Sequence, residues 1–342
     1  MASVEDVRNF LNEIKPDQKI CIVYHHDCDG VCSAVLMLKL LARRCLSANF
    51  IDVYASDYED TLKIEADKFI FLDIGVTELE LKENQSALII DHHLAERDLS
   101  SKNVVHYNIR FSNQNAYQPA SYLVYKIFET ELRDLAWIAA LGTVADYGFE
   151  DCLDLLNNFV KVKSKEKMAD TKIMKVANMV NSAIAIKGCY WVVERLFEAP
   201  SIDKIKKDKE VVEAHKIFEQ EMERCRKEYF ESAEKHFNEK VIIGSVNSKY
   251  SEISSTLSSA LSSEAPDKIF IVLEKRGKNY KISSRTQLKD INLGEILHEI
   301  ARRISLTASG GGHPAAGGAK IAADDLNKFK KLLLGELEQH FK

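Results

Sequence analysis

The feature that most constrains the fold is a series of short apolar runs in the first 100 residues. Each run is rich in Ile, Val, Leu or Phe, and the runs read KICIVYHH, FIDVYAS, KFIFLDIG and ALIIDHH. Continuous apolar runs of this length predict strands that are buried on both faces of a parallel sheet. Residues 30–44, between the first two runs, have the pattern of a helix. Alternating strands and helices predict an α/β domain.

The rest of the chain divides into a helical part and a second α/β part. Apolar-rich helical segments follow from about Pro119 to Phe197, and residues 203–239 read as one long, strongly charged helix. Strand-like runs return after residue 240, with KVIIGSV, KIFIVLEKR and NYKISSRT. We therefore predict an α/β domain over 1–200, a helical linker over 201–239, and a smaller α/β domain over 240–342.

Composition excludes several classes of protein. Hydrophobic residues make up 46% and charged residues 29% of the 342, as in ordinary globular proteins. The apolar runs are too short to span a membrane, and the N-terminus has no basic segment followed by an apolar one. The seven cysteines are irregularly spaced with no CxxC pair. These features predict a cytoplasmic protein with free thiols, and they disfavour a zinc site at Cys28 and Cys32.

Charge is unevenly distributed along the chain. The net charge is −5, yet residues 240–342 carry more Lys and Arg than Asp and Glu. The C-terminal part is therefore the better place for contact with a polyanion. A merely solvated surface explains so small an excess about as well.

Four segments of the first domain place His and Asp where predicted elements end. They are His25-His26-Asp27-Cys28-Asp29-Gly30, Asp73, Asp91-His92-His93 and Asp146. Residues two apart in an extended segment point the same way, so His25, Asp27 and Asp29 can converge. Ligands of open parallel sheets bind outside the carboxyl ends of the strands. We therefore expect these side chains to form one cluster.

The chemistry of this cluster suits hard divalent metals. Mixed carboxylates and imidazoles fit Mn²⁺, or Mg²⁺ with less preference, and fit sulfur-seeking metals poorly. The residues are too many for one ion, whereas two ions about 3.5–4 Å apart that share a carboxylate would use them all. Any one of these residues alone would more often be a cap, a turn former or an ordinary surface residue.

A glycine-rich segment near the C-terminus is the second unusual feature. It reads GGGHPAAGGA over residues 310–319. Glycines such as Gly311 and Gly312 let backbone N–H groups approach phosphate oxygens, and His313 adds a donor. Arg285 could add a bidentate phosphate contact. A flexible loop and an ordinary surface arginine are the alternatives for these two features.

These motifs, in this order, resemble those of the DHH phosphoesterase family, named for its Asp-His-His triplet. The glycine-rich segment resembles the signature of the C-terminal domain associated with that family. The resemblance covers nearly the whole chain. The family includes RecJ-like single-strand exonucleases, oligoribonucleases, cyclic-dinucleotide phosphodiesterases and manganese pyrophosphatases. The pyrophosphatases carry a different C-terminal domain, which argues against them here.

The resemblance implies roles for individual residues. One metal ion is expected at His25, Asp27 and Asp73, although His26 is an alternative to His25. The other is expected at Asp29, Asp73, His92 and Asp146, with Asp73 bridging the two ions. The resemblance makes His93, facing the scissile phosphate, and Asp73 the catalytic residues. Arg285, Gly311, Gly312 and His313 are the expected substrate-binding residues, across a cleft between the two domains.

The expected function is that of a two-metal phosphodiesterase acting on single-stranded nucleic acid ends or short oligonucleotides. Its expected cofactors are two divalent ions, with Mn²⁺ preferred, and its expected partners are single-stranded DNA or RNA. A homodimer, or a partner in replication or repair, is a further possibility, and no membrane is expected. One alternative is a phosphatase on 3′-phosphoadenosine-type nucleotides or a cyclic-dinucleotide phosphodiesterase. Another, of a different class, is a non-catalytic replication scaffold on the same fold.

Overall fold

The structure is a computed structural model that describes residues 1–54, 58–95, 97–161 and 165–341. The chain forms two compact units, Met1–His215 and Lys216–Lys342. The boundary lies within one long helix, Lys209–Glu231. The division into 1–200, 201–239 and 240–342 that the sequence predicts stays a prediction.

A parallel sheet forms the centre of the first unit. Its strands are β1 (Ile20–His25), β2 (Asn49–Val53), β3 (Lys68–Leu72), β4 (Ser86–Asp91) and β5 (Val104–Asn108). Among the described residues they are ordered β2-β1-β3-β4-β5, and each neighbouring pair is parallel. The four predicted strands are present, and the sequence reading missed β5.

Burial on both faces explains why the central strands β1, β3 and β4 are almost continuously apolar. Ile22 and Ile70 lie in a large core formed with the helices, whereas Val23 and Phe71 lie in a separate core on the opposite face. Side chains alternate between the faces of a strand, so a sheet with two covered faces needs apolar residues at every position. This confirms the predicted α/β class.

Helices account for most of the remaining first unit. They are α1 (Val4–Asn12), α2 (Cys28–Arg43), α3 (Ala120–Ile127), α4 (Glu129–Leu132), α5 (Ala136–Ala145), α6 (Leu153–Leu156), α7 (Lys172–Lys187), α8 (Cys189–Glu198), α9 (Ile202–Lys207) and α10 (Lys209–Glu231). The single long helix predicted over 203–239 is wrong in detail. Asp208 separates α9 from α10, and a short strand, Glu234–His236, follows α10.

The second unit is a smaller α/β domain built on a mixed sheet. Its strands are β6 (Glu234–His236), β7 (Val241–Val246), β8 (Ile269–Arg276), β9 (Asn279–Thr286), β10 (Ser309–His313) and β11 (Ala316–Ala322). Among the described residues their order is β10-β11-β9-β8-β7-β6, and only the β7–β8 pair is parallel. The helices are α11 (Ile253–Glu264), α12 (Leu293–Ile304) and α13 (Leu326–Glu338).

The glycine-rich segment is a β-hairpin, β10–β11, rather than a loop. Helix α12 approaches this hairpin so closely that side chains would not fit. A methyl group added at Gly310 would lie 2.4 Å from the carbonyl oxygen of Leu297, and one at Gly317 would lie 2.9 Å from that of Leu293. A methyl group at Gly311, in contrast, meets no atom within 4 Å. Packing thus explains Gly310, Gly312 and Gly317, whereas it does not require glycine at Gly311 or at Gly318.

No helix among the described residues is long and apolar enough to cross a membrane.

Candidate metal centre

The carboxyl ends of three adjacent strands carry the predicted cluster. His25 ends β1, Asp73 directly follows β3, and Asp91 ends β4 and is followed by His92 and His93. Because β1, β3 and β4 are neighbours in the sheet, these side chains meet along one edge. Asp73 has the unusual φ of +62°, a conformation that Asp tolerates better than most residues.

Two groups of donor atoms lie side by side at this edge. In each group the donor atoms all lie within 4.8 Å of one another: the first contains His25, Asp27 and Asp73, and the second contains Asp29, His92 and Asp146. These are the residues predicted as metal ligands. The structure therefore brings together every one of them.

Asp73 contacts both groups through different oxygens. Its Oδ2 lies 3.6 Å from Nδ1 of His25, while its Oδ1 lies 3.1 Å from Nε2 of His92. That same Nε2 is 3.4 Å from Oδ2 of Asp146. The side chain of Asp73 is only 2% exposed, so its charge is held inside the cluster. A carboxylate with one oxygen toward each group is placed as a shared ligand must be.

The two adjacent histidines of the first segment have different surroundings. His25 Nδ1 lies 2.8 Å from Asp27 Oδ2, within the cluster. His26 instead contacts Asp52 through Nδ1, and Sγ of Cys189 lies 3.4 Å from the same nitrogen. This geometry favours His25 over His26 as a partner of Asp27.

His93 is held by a carboxylate that the sequence reading did not single out. Its Nδ1 donates to Oδ1 of Asp91 at 2.7 Å, and Asp91 is 1% exposed. Asn108, on β5, donates to the His93 carbonyl oxygen at 2.9 Å. Burial opposes the charge on His93, but Asp91 outweighs it and raises the pKa of this imidazole.

Two further residues that the sequence reading missed support the second group. The Tyr117 hydroxyl donates to Oδ2 of Asp146 at 2.9 Å. Arg110 Nε donates to the His92 carbonyl oxygen at 2.6 Å, and its guanidinium carbon lies 5.5 Å from the Tyr117 ring centre. Only Asp91 carried a signal in the sequence, since it begins the Asp-His-His triplet.

The electrostatics of the cluster are those of crowded carboxylates. Burial, with repulsion from Asp73 among others, raises the pKa of Asp146 to about 7. Burial would lower the pKa of His92, but the neighbouring carboxylates, led by Asp73, raise it to about 10. Burial also opposes the charge of Asp27, whereas His25 outweighs it and lowers the pKa of that carboxyl. Such opposed shifts in one small volume are typical of functional sites.

Asp27 and Asp29 also hold helix ends. Asp27 is the N-cap of α2 and accepts a hydrogen bond from the Gly30 N–H at 2.9 Å. Asp29 lies inside the first turn of α2 rather than in an extended segment, so the expected two-residue alternation does not explain its position. It accepts from the N–H groups of Ala120 at 2.6 Å and Ser121 at 3.0 Å, at the start of α3.

Gly30 is required by the close approach of α2 to β1. A methyl group at this position would lie 2.2 Å from the carbonyl oxygen of His25. The glycine thus serves close packing between the strand end and the first helical turn. A larger residue would displace His25 or Asp27, both members of the first group.

The donor set fits two hard divalent cations. Each group combines carboxylate oxygens with an imidazole nitrogen and has no sulfur. Nδ1 of His92 is buried with no hydrogen-bond partner among the described residues, whereas Nε2 points to the carboxylates. Nearby cations would also offset the repulsion among the carboxylates. The residues present therefore suit the pair of ions predicted from the sequence.

The predicted substrate residues of the second unit lie close together on its sheet. His313 ends β10 and is exposed, and it pairs with Ala316 of β11, which in turn pairs with Arg285 of β9. Residues directly opposite on antiparallel strands point to the same face, so His313 and Arg285 flank a small alanine, with roughly 10 Å between their backbones. Arg285 Nε donates to Oγ of Ser259 at 3.0 Å.

Comparison with known proteins supports the relation suggested by the motifs. Residues 19–144 match the DHH family, N-terminal domain, and residues 238–339 match the DHHA1 domain. An uncharacterised protein of Methanocaldococcus jannaschii is 27% identical over 166 residues. That alignment covers 43% of this chain and 37% of the relative, so the chain matches little more than a third of it.

Solved structures share the fold at low sequence identity. RecJ from Thermus thermophilus, in complex with Mn²⁺, has a TM-score of 0.76 and 15% identity, covering 98% of this chain and 54% of that one. An exonuclease RecJ bound to manganese has a TM-score of 0.70 and 16% identity, and the match covers 97% of this chain and 94% of that one. A pGpG-specific phosphodiesterase from Vibrio cholerae has a TM-score of 0.55 and 17% identity, and the match covers 94% of this chain and 99% of that one. The chain thus spans about half the length of the Thermus protein.

The first family match lies in the first unit and the second match in the second unit. The matches include the motifs at the ends of β1, β3 and β4 and the glycine-rich hairpin. The protein therefore belongs to the DHH family and carries a DHHA1 domain after its DHH domain.

Proposed function

We propose that the protein is a phosphodiesterase that depends on two divalent metal ions, with Mn²⁺ preferred. It hydrolyses the ends of single-stranded nucleic acids or short oligonucleotides. The observation that carries this proposal is the position of Asp73, with one oxygen toward each of two adjacent donor groups. The manganese complexes of the RecJ structures agree with it.

In this proposal the first unit holds the reacting phosphate. Divalent cations in the two groups would supply Lewis-acid stabilisation of the charge that builds up on a phosphodiester. His93 has Nδ1 committed to Asp91, so Nε2 is the nitrogen that it can offer to substrate. The Asp91 carboxylate raises the pKa of His93 and so favours the protonated imidazole, the form in which Nε2 can donate to a phosphate or leaving oxygen.

The second unit supplies further phosphate contacts in the proposal. Arg285 and His313 point to one face of the sheet, on either side of Ala316. At Gly311 no side chain covers the backbone of the edge strand β10, and no neighbouring atom lies within 4 Å of an added methyl group. A backbone N–H group there could contact a phosphate oxygen. These contacts would add affinity without taking part in the bond cleavage itself.

A substrate panel tests the proposal directly. Protein stripped with EDTA is incubated with end-labelled DNA and RNA oligonucleotides of several lengths, with pGpG, and with 3′-phosphoadenosine nucleotides. We expect cleavage only after Mn²⁺, or less efficiently Mg²⁺, is restored, and the Asp73→Asn variant is the inactive control. Undiminished cleavage in chelator would refute metal dependence. Turnover of the mononucleotides alone would identify a phosphatase instead.

A further inference from the structure

Next to the candidate metal centre, the edge strand β2 and the residue that follows it carry aromatic side chains that the proposed chemistry does not use. Phe50 and Asp52 lie two residues apart on β2 and point to one face of the strand, and Tyr54 directly follows the last residue of the strand. Phe50 stacks on Tyr190 of α8, with ring centres 5.0 Å apart and an interplanar angle of 11°. Tyr54 stacks on His26 at 4.7 Å and 27°. We call Tyr190, Phe50, Tyr54 and His26 the aromatic row.

The aromatic row is exposed where it would meet a ligand. Tyr190 is 57% exposed and Tyr54 is 44% exposed, so these two large rings lie partly in water. Exposed aromatic residues grouped beside a reactive centre are unusual on a surface that has no binding partner. Tyrosine rings offer flat apolar faces together with a polar edge, a combination suited to stacking on heterocycles.

One end of the row lies at the metal centre. His26 directly follows His25, a member of the first donor group, and Val53 of β2 pairs with His25. The backbone N–H of His26 donates to the Val53 carbonyl oxygen at 3.0 Å. From Val53 the row follows β2 back to Phe50, three residues away, a distance of roughly 10 Å at about 3.3 Å per residue.

The ring of His26 is fixed in place from behind. Its Nδ1 contacts the Asp52 carboxylate, and Sγ of the buried Cys189 lies 3.4 Å away. Cys189 and Tyr190 are adjacent at the start of α8, so one helix both supports His26 and supplies the outer ring of the row. The two stacked pairs are thereby held on one rigid frame.

A cation near the row suits a polyanion. Lys187 precedes α8, and its Nζ lies 5.7 Å from the ring centre of Trp191, the residue after Tyr190. It forms no salt bridge in the part of the chain that the structure describes. Proteins that bind single-stranded nucleic acids without reading their sequence combine aromatic rings with positively charged groups.

We propose that the aromatic row is a nucleobase-stacking surface for single-stranded DNA or RNA whose scissile phosphate lies at the metal centre. The inference rests on the proposed function and narrows the range of substrates that the site would bind. Two stacked platforms along a strand favour substrates of several nucleotides over mononucleotides. They would contribute nothing to the binding of a substrate that has phosphates but no bases.

The experiment compares two fluorescein-labelled DNA 12-mers, one with normal bases and one abasic throughout, so that the phosphates are the same. Affinities are measured by anisotropy with Ca²⁺ in place of Mn²⁺, for the wild type and for Tyr190→Ala and Tyr54→Ala. We expect the wild type to bind the normal 12-mer about 5- to 100-fold more tightly than the abasic one. Each alanine variant should lose most of that preference, while Tyr190→Phe should keep it.

Phe230→Ala provides the matched control, since Phe230 is a similarly exposed aromatic residue outside the row. Equal wild-type affinity for the two 12-mers would overturn the inference, as would an unchanged preference in both alanine variants. Hydrolysis of the abasic 12-mer with Mn²⁺ tests the proposed function separately, because this substrate has phosphodiester bonds but no nucleobase. If the variants hydrolyse it at the wild-type rate but have lost the base preference, the row serves substrate binding alone.

Discussion

At the scale of single residues, Asp73 joins the two halves of the metal centre. Its two oxygens face different donor groups, and its backbone adopts a left-handed conformation that Asp and Asn tolerate. Asparagine keeps this conformation and the side-chain shape while removing the charge. It is therefore a cleaner substitution here than alanine.

We predict that Asp73→Asn loses both Mn²⁺ ions, whereas Asp27→Asn mainly weakens one. Asp73 contacts both groups, and Asp27 belongs only to the first. Isothermal titration calorimetry of metal-free protein with Mn²⁺ measures the stoichiometry. Equal stoichiometry in the two variants would count against a shared carboxylate.

Asp29 is expected to matter for folding as well as for metal. Asp29→Ala leaves the buried N–H groups of Ala120 and Ser121 without their acceptor, whereas Asp146→Ala affects side-chain partners, the Tyr117 hydroxyl and Nε2 of His92, and no backbone N–H group at a helix start. We predict that in EDTA the free energy of unfolding of Asp29→Ala is about 1–3 kcal/mol lower than that of Asp146→Ala. Urea denaturation measures both, and a difference near zero would show that the start of α3 does not need Asp29.

Asp91 is expected to act through His93. Asp91→Asn removes the charge that holds the imidazole and raises its pKa, while the amide keeps the volume in this buried place. We predict a fall in kcat of about 10- to 100-fold, with little change in Mn²⁺ stoichiometry. Kinetics on an oligonucleotide, paired with calorimetry, would reveal the alternative, which is loss of metal together with activity.

The residue types of the site were predictable from the sequence, whereas several of their partners were not. Carboxylates and imidazoles after apolar runs are visible in the sequence and predict a cluster. Tyr117 lies in a loop and Arg110 in a short 3₁₀ helix after β5, and no periodic pattern marks either residue. Asp29 meets Ala120 across 91 positions of sequence, and such a contact depends on helix packing that a local pattern does not contain.

At the scale of elements, the glycines of the glycine-rich hairpin differ in what requires them. Gly317 lies under α12 with atoms closer than 3 Å to an added methyl group, while Gly311 is open. The sequence reading could not distinguish these glycines, because their difference arises only when α12 docks on the hairpin. It also missed β5, whose mixed polar and apolar composition gives a weaker periodic signal.

The two glycines form a matched pair of substitutions. We predict that Gly317→Ala lowers the melting temperature, since α12 or the hairpin must move, while Gly311→Ala leaves it nearly unchanged. If the backbone at Gly311 contacts substrate phosphate, Gly311→Ala should raise KM for oligonucleotides with little effect on kcat. Differential scanning fluorimetry and steady-state kinetics measure these outcomes, and an unchanged KM would remove Gly311 from the proposed substrate site.

At the scale of the whole molecule, the two units have separate cores and separate sets of proposed site residues. The large core of the first unit is formed by residues up to Ala214. We predict that a chain of residues 1–215 binds Mn²⁺ with the full-length stoichiometry and hydrolyses bis(4-nitrophenyl) phosphate. It should lose most turnover on oligonucleotides, because Arg285 and His313 are gone. Full oligonucleotide turnover by this fragment would show that the second unit is dispensable for substrate binding.

Asp27 and Asp29 each have two roles, as proposed metal ligands and as hydrogen-bond acceptors at the start of a helix. This affects how related sequences should be interpreted. Both carboxylates fix the start of a helix, so a relative that had abandoned hydrolysis would still benefit from keeping them. An intact pair of aspartates at these positions is therefore weak evidence that such a relative is an active enzyme. Asp73 and His92 cap no helix within the described residues, and they are the positions whose loss would best reveal a lineage that has given up catalysis.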